Sequence, residues 1–411
     1  EYSHYPPAED FDVINLRSGS HDMSSRGAYM SNRFTDDSML DMGNIAPHGR
    51  FVHLYLNGNY WGQYHLRERW SADMASSYFG GSEDDYEAVN ANDNFRNDEN
   101  VYDGSGLFWS ETKRLLSRPN PFTNAADHID IANIVDFMLL WVSGNSESEF
   151  RAFGSEPRGI SFKFMIKDAD GFLRSPGHSA NHAGPYGVMS EMRTGGNPDY
   201  GTLLADRIHK HFFNNGALTP SKNIQRLKRR VDEARLGFIS EAARWGNLFR
   251  EPTSWESYQN NLLNNHFPGL TKTMIRRFKS AGMYPDSIAP VYSQHGGSLS
   301  PDIPITMATD ANTIYYTLDG SDPRLPGGAP NPDAMTASFD VSGPTPVSYI
   351  STGHTWKYLD DGSNQGTAWR SPGFDDSDWQ SGPSELGYGS DGEGSGQIVG
   401  FGPDSSTKYP T

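Results

Sequence analysis

Residues 51–66 read FVHLYLNGNYWGQYHL, in which Val52, Leu54 and Leu56 alternate with Phe51, His53 and Tyr55. Asn57-Gly58 interrupts the alternation, and Tyr60, Gly62 and Tyr64 resume it. Asn-Gly between two alternating runs is a strong hairpin signal, because both turn positions need a positive φ. The stretch therefore predicts a β-hairpin. Directly after it, SADMASSYFGG offers Ser71 as an N-cap and Gly80-Gly81 as a stop, so a short helix follows.

Further along, GLFWSETKRLLSR (106–118) and DIANIVDFMLLWVSG (130–144) repeat apolar residues at helical spacing. The second turns Ile131, Ile134, Val135, Met138, Leu139 and Val142 inward, which marks a core helix. A strand is expected over 160–167, and helical patterns dominate 200–283. Strands early and helices late point to a two-lobed α+β domain. Near Pro285 to Gly297 the texture changes to short β-rich runs separated by Gly, Pro and Asp, as in small sandwiches. The expected boundaries are 1–286, 287–345 and 346–411. The chain opens at Glu1 without Met and closes on SSTKYPT within a strand-rich run, so it reads as a piece of a longer protein.

Composition narrows the function. With 411 residues, a formal charge of −17 and 12% aromatic residues, the chain is a multidomain globular protein. It lacks the basic face that a phosphate-backbone binder needs, so nucleic acid is not an expected partner. The most apolar run, IANIVDFMLLWV (131–142), is too short to cross a bilayer and contains Asp136. The chain has no cysteine, which excludes disulfides and zinc–thiolate sites.

Chemistry is suggested in four places. FKFMIKDADGFL (162–173) brings Asp168 and Asp170 to a strand's end. Residues two apart on a strand share a side, so the pair can hold one hard cation such as Mg²⁺ for phosphoryl transfer. Asp-x-Asp-Gly is also ordinary turn chemistry. SGNSESEFRAF (143–153) follows the core helix and presents Asn145, Glu147 and Glu149, either as a site anchored by a buried helix or as a solvated helix end. Glu68, flanked by Arg67 and Arg69 just past the hairpin, can position a lysine or a metal while an arginine reaches a phosphate; surface ion pairing serves equally well. His178 and His182 have i, i+4 spacing, but Pro176, Gly177, Gly184 and Pro185 around them argue for a loop rather than a metal-binding helix. Asp319 and Asp322, in a tight turn after an aromatic strand, suit a hairpin closure better than a catalytic carboxylate pair.

Several of these stretches occur together in a known family. HLYLNGNYWGQYHLRE, then SGNSESEFR, then FKFMIKDADGFL, with LLADRIHKHFFNNGALTP and APVYSQHGG beyond, resemble the spore-coat protein CotH kinase family over about residues 10–297. ANTIYYTLDGSDPR is similar to the chitobiase/β-hexosaminidase C-terminal type of β-sandwich, and TWKYLDDGSNQGTAWR to the start of a galactose-binding-like module. The CotH resemblance implies an atypical protein-kinase fold that transfers a phosphoryl group from ATP, with Mg²⁺, to Ser or Thr. It places the metal-binding aspartate at Asp168 with Asp170 behind it, and the catalytic loop at Asn145 and Glu147. Two positions depart from the family. Lys167 stands where the family has tryptophan, and Glu147 where it has aspartate, which moves the carboxylate outward by one methylene. DDYEAVNAND holds no nucleotide lysine, leaving Lys163 or Lys167 as substitutes.

Three functions remain open from the sequence. One is an extracytoplasmic CotH-like kinase acting on a protein substrate, with Asp168 and Asp170 on Mg²⁺, Glu147 as base and Glu68 behind the phosphate site. The second is a pseudokinase scaffold with the same fold. The third is a secreted or surface protein whose β modules bind polysaccharide, with Tyr315 and Trp356 as exposed aromatic candidates.

Overall fold

The computed structural model describes residues 4–19, 22, 28–92, 100–144, 149–173, 188–246, 251–287, 289–295, 298, 304–338, 354–363, 365–371, 373–383, 386–387 and 397–398. The chain divides into two compact units, Glu1–Ser338 and Phe339–Thr411.

The first unit mixes helices and antiparallel sheets. Its first sheet contains β1 (Ile14–Arg17), α1 (Ser31–Asp41) follows in the chain, and β2 (Gly49–Leu56) and β3 (Asn59–Glu68) complete the sheet in the order β1-β3-β2. The expected hairpin is there: Asn57 and Gly58 have φ of 49° and 80°, and Tyr55 and Leu56 pair with Tyr60 and Asn59. Ser71 caps α2 (Ala72–Phe79) by accepting from Met74 N at 3.3 Å, and Gly80 ends it with φ 77°.

A second sheet is built from β4 (Glu87–Asn92) and β5 (Asn100–Asp103), then, beyond α3 (Leu107–Leu116), α4 (Pro121–Asn124) and α5 (Ile131–Ser143), from β6 (Glu149–Ser155) and β7 (Ile160–Lys167). Its order is β5-β4-β6-β7. On β7 the alternation sends Phe162, Phe164 and Ile166 into the main core with Trp109 and Phe150, and Met165 to a second core with Trp70, Tyr86 and Phe153. The helix α5 is buried from Asn133 to Ser143. Asn133 ties it to β7: its Oδ1 accepts from Phe164 N at 2.6 Å and its Nδ2 donates to Asn44 Oδ1 at 3.0 Å. At the C-terminal end of α5, Gly144 lies so close to the Phe172 ring that any Cβ would overlap it.

The helices α6 (Val188–Thr194), α7 (Pro198–Phe212) and α8 (Pro220–Trp245) follow, then α9 (Pro252–Asn261) and α10 (Phe267–Ser280). The sequence suggests two separate helices for the last pair. A π-turn over Leu262–His266 instead carries one helix into the next, and Pro268 falls in the first turn of α10, where no N–H is missed. Short strands β8 (Val291–Tyr292), β9 (Met307–Ala308), β10 (Thr313–Tyr316) and β11 (Met335–Ser338) close the unit, pairing as β8-β9 and β10-β11. In the second unit β12 (Thr355–Tyr358) pairs antiparallel with β13 (Gln380–Pro383), and Trp356 is exposed. Among the described residues no helix is long and apolar enough to cross a membrane.

Buried charge is paired within the first unit. Asp37 of α1 meets Arg33 at 2.9 Å and Arg230 of α8 at 2.6 Å. Asp136, in the most apolar helix, receives Arg207 Nε at 2.7 Å, His211 Nε2 at 2.9 Å and Asn44 Nδ2 at 2.7 Å. Burial works to raise the Asp136 carboxyl, but the His211 and Arg207 hydrogen bonds outweigh it and hold the group below the usual carboxylate range. Burial lowers His211, with Asp136 opposing. Burial, and then Arg33 and Arg67, push His65 well down.

His65 and His211, together with His48, His209 and His266, which burial also lowers, make the fold less stable as pH falls. Asp22, whose carboxyl is pushed up to about 7, works in the opposite sense. Unfolded, each histidine takes a proton near pH 6.5; folded, each does so only at lower pH. Unfolding therefore takes up protons below that point, and stability falls as pH drops through about 6.5, by up to tenfold in the unfolding constant per unit per histidine. Urea midpoints should decline between about pH 7.5 and pH 5.5, and His65→Gln should flatten part of the decline. A midpoint that stays level, or a slope unchanged in the variant, contradicts this.

Candidate functional site

At the end of β7 the backbone turns at Asp168, whose φ is 53°. A left-handed aspartate is unusual for an L-residue and costs roughly 1–2 kcal/mol, so the surroundings must hold it. They do so through Asn32 of α1, whose Oδ1 accepts from Ala169 N at 3.2 Å while its Nδ2 donates to Asp170 Oδ1. Asp170 is buried and Asp168 partly exposed. Arg17, the last residue of β1, places Nη2 2.7 Å from Asp170 Oδ1 and 3.5 Å from Asp168 Oδ1. The two carboxylates thus converge on one cation, as their spacing suggests, and that cation is a guanidinium.

Asp22 lies close by. Its carboxylate accepts from Tyr29 N at 3.0 Å and Ser31 N at 3.1 Å. Burial, and then repulsion from Asp170, push it up to about 7. A hard cation prefers one or two carboxylates with further oxygen donors. Asp168 and Asp170 offer the carboxylates of such a set, and Arg17, a quarter exposed, occupies the point between them.

A cleft opens along β1 and the second sheet. On the second sheet Asn90 of β4 lies opposite Arg151 of β6, and two residues along the same face Glu149 lies opposite Lys167. With the edge of β1 from Val13 to Leu16, and with Arg69, Trp70 and Tyr102, Asn90 and Arg151 enclose about 350 Å³. Leu16 lines this space, while the next residue of β1, Arg17, reaches the aspartates. Arg69 stands over the Tyr102 ring at 4.9 Å and Arg151 over the Trp70 ring at 5.6 Å. Among the described residues neither Arg69 nor Arg151 has a carboxylate within ion-pair distance. Burial, and then the neighbouring Arg67, bring Arg151 down to about 10. Trp70 Nε1 and Asn90 Oδ1 are buried without a hydrogen-bond partner. Uncompensated guanidinium charge, orphaned polar atoms and aromatic walls suit an anion that carries a planar group.

The remaining sequence candidates fall as follows. Glu68 Oε2 accepts from His48 N at 2.8 Å and Oε1 from Tyr78 OH at 2.7 Å, so it clasps α2 and the chain before β2 to β3. Lys163 pairs with Asp130 at 2.6 Å, and Lys167 with Glu149 at 2.6 Å. Asp319 Oδ1 accepts from Ser321 N, and Asp322 holds Arg324, so both shape turns. Asn145, Glu147, His178 and His182 lie outside the described residues. Arg17, Asn32, Asn90 and Arg151 are the residues that motif reading passes over. Arg151 had a signal, because it alternates with Glu149 onto one face of a strand.

Comparison with known proteins comes after this geometry. None of the curated proteins compared matches this chain. The protein family described as CotH kinase protein matches residues 2–153, a span that contains Arg17, Glu68, the cleft residues Arg69, Trp70, Asn90, Tyr102 and Arg151, and ends before Asp168.

Proposed function

We propose that the first unit is a CotH-like kinase that binds ATP in the arginine-lined cleft and passes a phosphoryl group to Ser or Thr of a protein. The meeting of Asp168 and Asp170 at Arg17, beside the family match over residues 2–153, supports the proposal. Bound Mg²⁺ supplies neutralisation of phosphate charge, and Asp168 with Asp170 would hold it. Arg151 and Arg69 take the phosphate-facing role for which Lys163 and Lys167 are unsuited, since each lysine already has a carboxylate partner. Trp70 and Tyr102 supply flat apolar walls that exclude water. Asn32 keeps Asp170 and the turn in place. Glu147, two positions after Asn145 and standing where the CotH motif has aspartate, is the group that accepts the hydroxyl proton. A net charge of −17 favours protein substrates with basic patches. Resemblance to CotH and to the β modules favours an extracytoplasmic setting, secreted or on a cell surface.

One observation favours a second function. Arg17 occupies the point between the two aspartates that a metal would take, as expected of a scaffold that binds an anion and performs no transfer. Arg17→Ala separates the two: in a kinase it frees both carboxylates and strengthens Mn²⁺ binding, whereas in a scaffold it lowers stability with no gain in metal affinity.

Binding and transfer are measured separately. Millimolar ATP with Mg²⁺ should raise the melting temperature, and Arg151→Met should reduce the shift by removing a charge-assisted bond. Incubation with γ-labelled ATP and a basic protein should label the protein, and Asp168→Ala should lower the rate by about 10²-fold or more. Absence of any nucleotide-dependent shift would overturn nucleotide binding, and a shift without labelling would leave the scaffold function.

A further inference from the structure

The helix α10 buries Phe267, Leu270, Thr271, Met274 and Phe278 on one face. On the other, Lys272, Arg276 and Lys279 recur at i, i+4 and i+7, the spacing that stacks side chains together. No Asp or Glu occurs among the 14 residues of this helix, although the chain holds 51 acidic residues against 34 basic ones. The stripe is therefore cationic against the trend of the whole chain.

Basic residues on α8 behave differently. Arg226, Lys228, Arg229 and Arg230 each meet a carboxylate, that of Asp41, Asp232 or Asp37. Among the described residues Lys272, Arg276 and Lys279 form no ion pair. Cations in the last turn of a helix offset its dipole, which accounts for Arg277 and Lys279. That effect fades within one turn, and Lys272 lies about two turns before Lys279.

The three cations border a groove of about 710 Å³. Ile275, partly buried against the main core, adds apolar surface to it, and Asp286, from the segment beyond α10, adds a carboxylate. Lys279 Nζ ties that segment to the helix by donating to Asp286 O at 3.0 Å, and its other N–H groups remain to donate elsewhere.

We propose that this groove docks an extended acidic segment of a partner polypeptide. Charge complementarity asks for an anion, and a groove suits a chain better than a membrane surface. Side chains on one side of an extended chain repeat at about 6.7 Å, near the rise of about 6 Å from Lys272 to Arg276 and about 4.5 Å from Arg276 to Lys279. Carboxylates at alternate positions thus match the stripe. Asp286 decides between a polypeptide and a polymer of bare anionic groups. A peptide brings backbone N–H donors that a carboxylate accepts, whereas polyphosphate brings charge of the same sign and no such donor. Ile275 suits an apolar side chain of the same segment. The groove shares no residue with the arginine-lined cleft, and the assignment holds whether or not phosphate is transferred.

Titration calorimetry of the full chain at low salt, with an N-acetylated and C-amidated peptide of alternating glutamate and valine, tests this. Saturable binding below about 1 mM is expected, and it should be lost at about 0.5 M salt. Lys272→Glu combined with Arg276→Glu should weaken binding about tenfold or more, with the circular dichroism spectrum kept because both side chains are exposed. Arg151→Met, in the other cationic site, should bind the peptide as the parent chain does. The proposal is overturned if binding does not saturate at millimolar peptide, or if the double variant binds as well as the parent. It is equally overturned if a polyphosphate of the same charge binds as tightly through the same two residues.

Discussion

Arg17 fixes the position of everything around it. It ends a strand of four residues at the edge of the first sheet and reaches two carboxylates that lie beyond the last strand of the second. Asp170 is almost fully buried, and an isolated carboxylate there would be driven to take up a proton. Here the Arg17 guanidinium and the Asn32 amide both donate to Asp170 Oδ1. The cleft lies between β1 of the first sheet and the β4, β5 and β6 strands of the second. The contact that assembles the site also occupies it, so in a kinase the same arginine has to serve first as a structural cation and then give way to a metal.

The same constraint recurs in the helices. Asp136 lies in the most apolar run of the chain, where a lone charge would be costly, and Arg207, His211 and Asn44 all converge on it. Asp37 does the equivalent work between α1 and α8 with Arg33 and Arg230. Buried ion pairs contribute little net stability compared with well-packed apolar groups, but they penalise every packing that separates them. Here they determine which turn of α7 meets α5 and which turn of α8 meets α1. Those helices support Asn32, which lies five residues before Asp37 on α1 and holds the aspartate turn.

What was legible in the sequence was what local chemistry decides. Asn57-Gly58, Ser71, Gly80 and the period of residues 131–142 act over a few residues, and the hairpin, α2 and α5 follow from them. The strand 160–167 was equally accessible. Its two-residue period does not extend to Asp168 and Asp170, because β7 ends at Lys167 and Asp168 is left-handed, so a turn and not a strand face brings them to Arg17. The cleft was not accessible. Arg17 and Asp170 are 153 positions apart, and no spacing rule connects them. Lys163 and Lys167 were attractive only by residue type; the register puts each beside a carboxylate, Asp130 and Glu149. The continuity of α9 into α10 was hidden because Phe267-Pro268 resembles a break, whereas a π-turn absorbs it.

Electrostatics gives the cleft its selectivity. The chain carries −17 overall, so its general field repels anions, and any anion that binds must be drawn by a local concentration of positive charge. Arg151 shows that concentration directly: burial and the neighbouring Arg67 make its proton easier to lose than that of an ordinary arginine. Asp36 and Glu149 offset part of that depression, and among the described residues Arg151 forms no ion pair. The Arg151 guanidinium lies against Trp70, and its planar fork is suited to hold two oxygens of one anion.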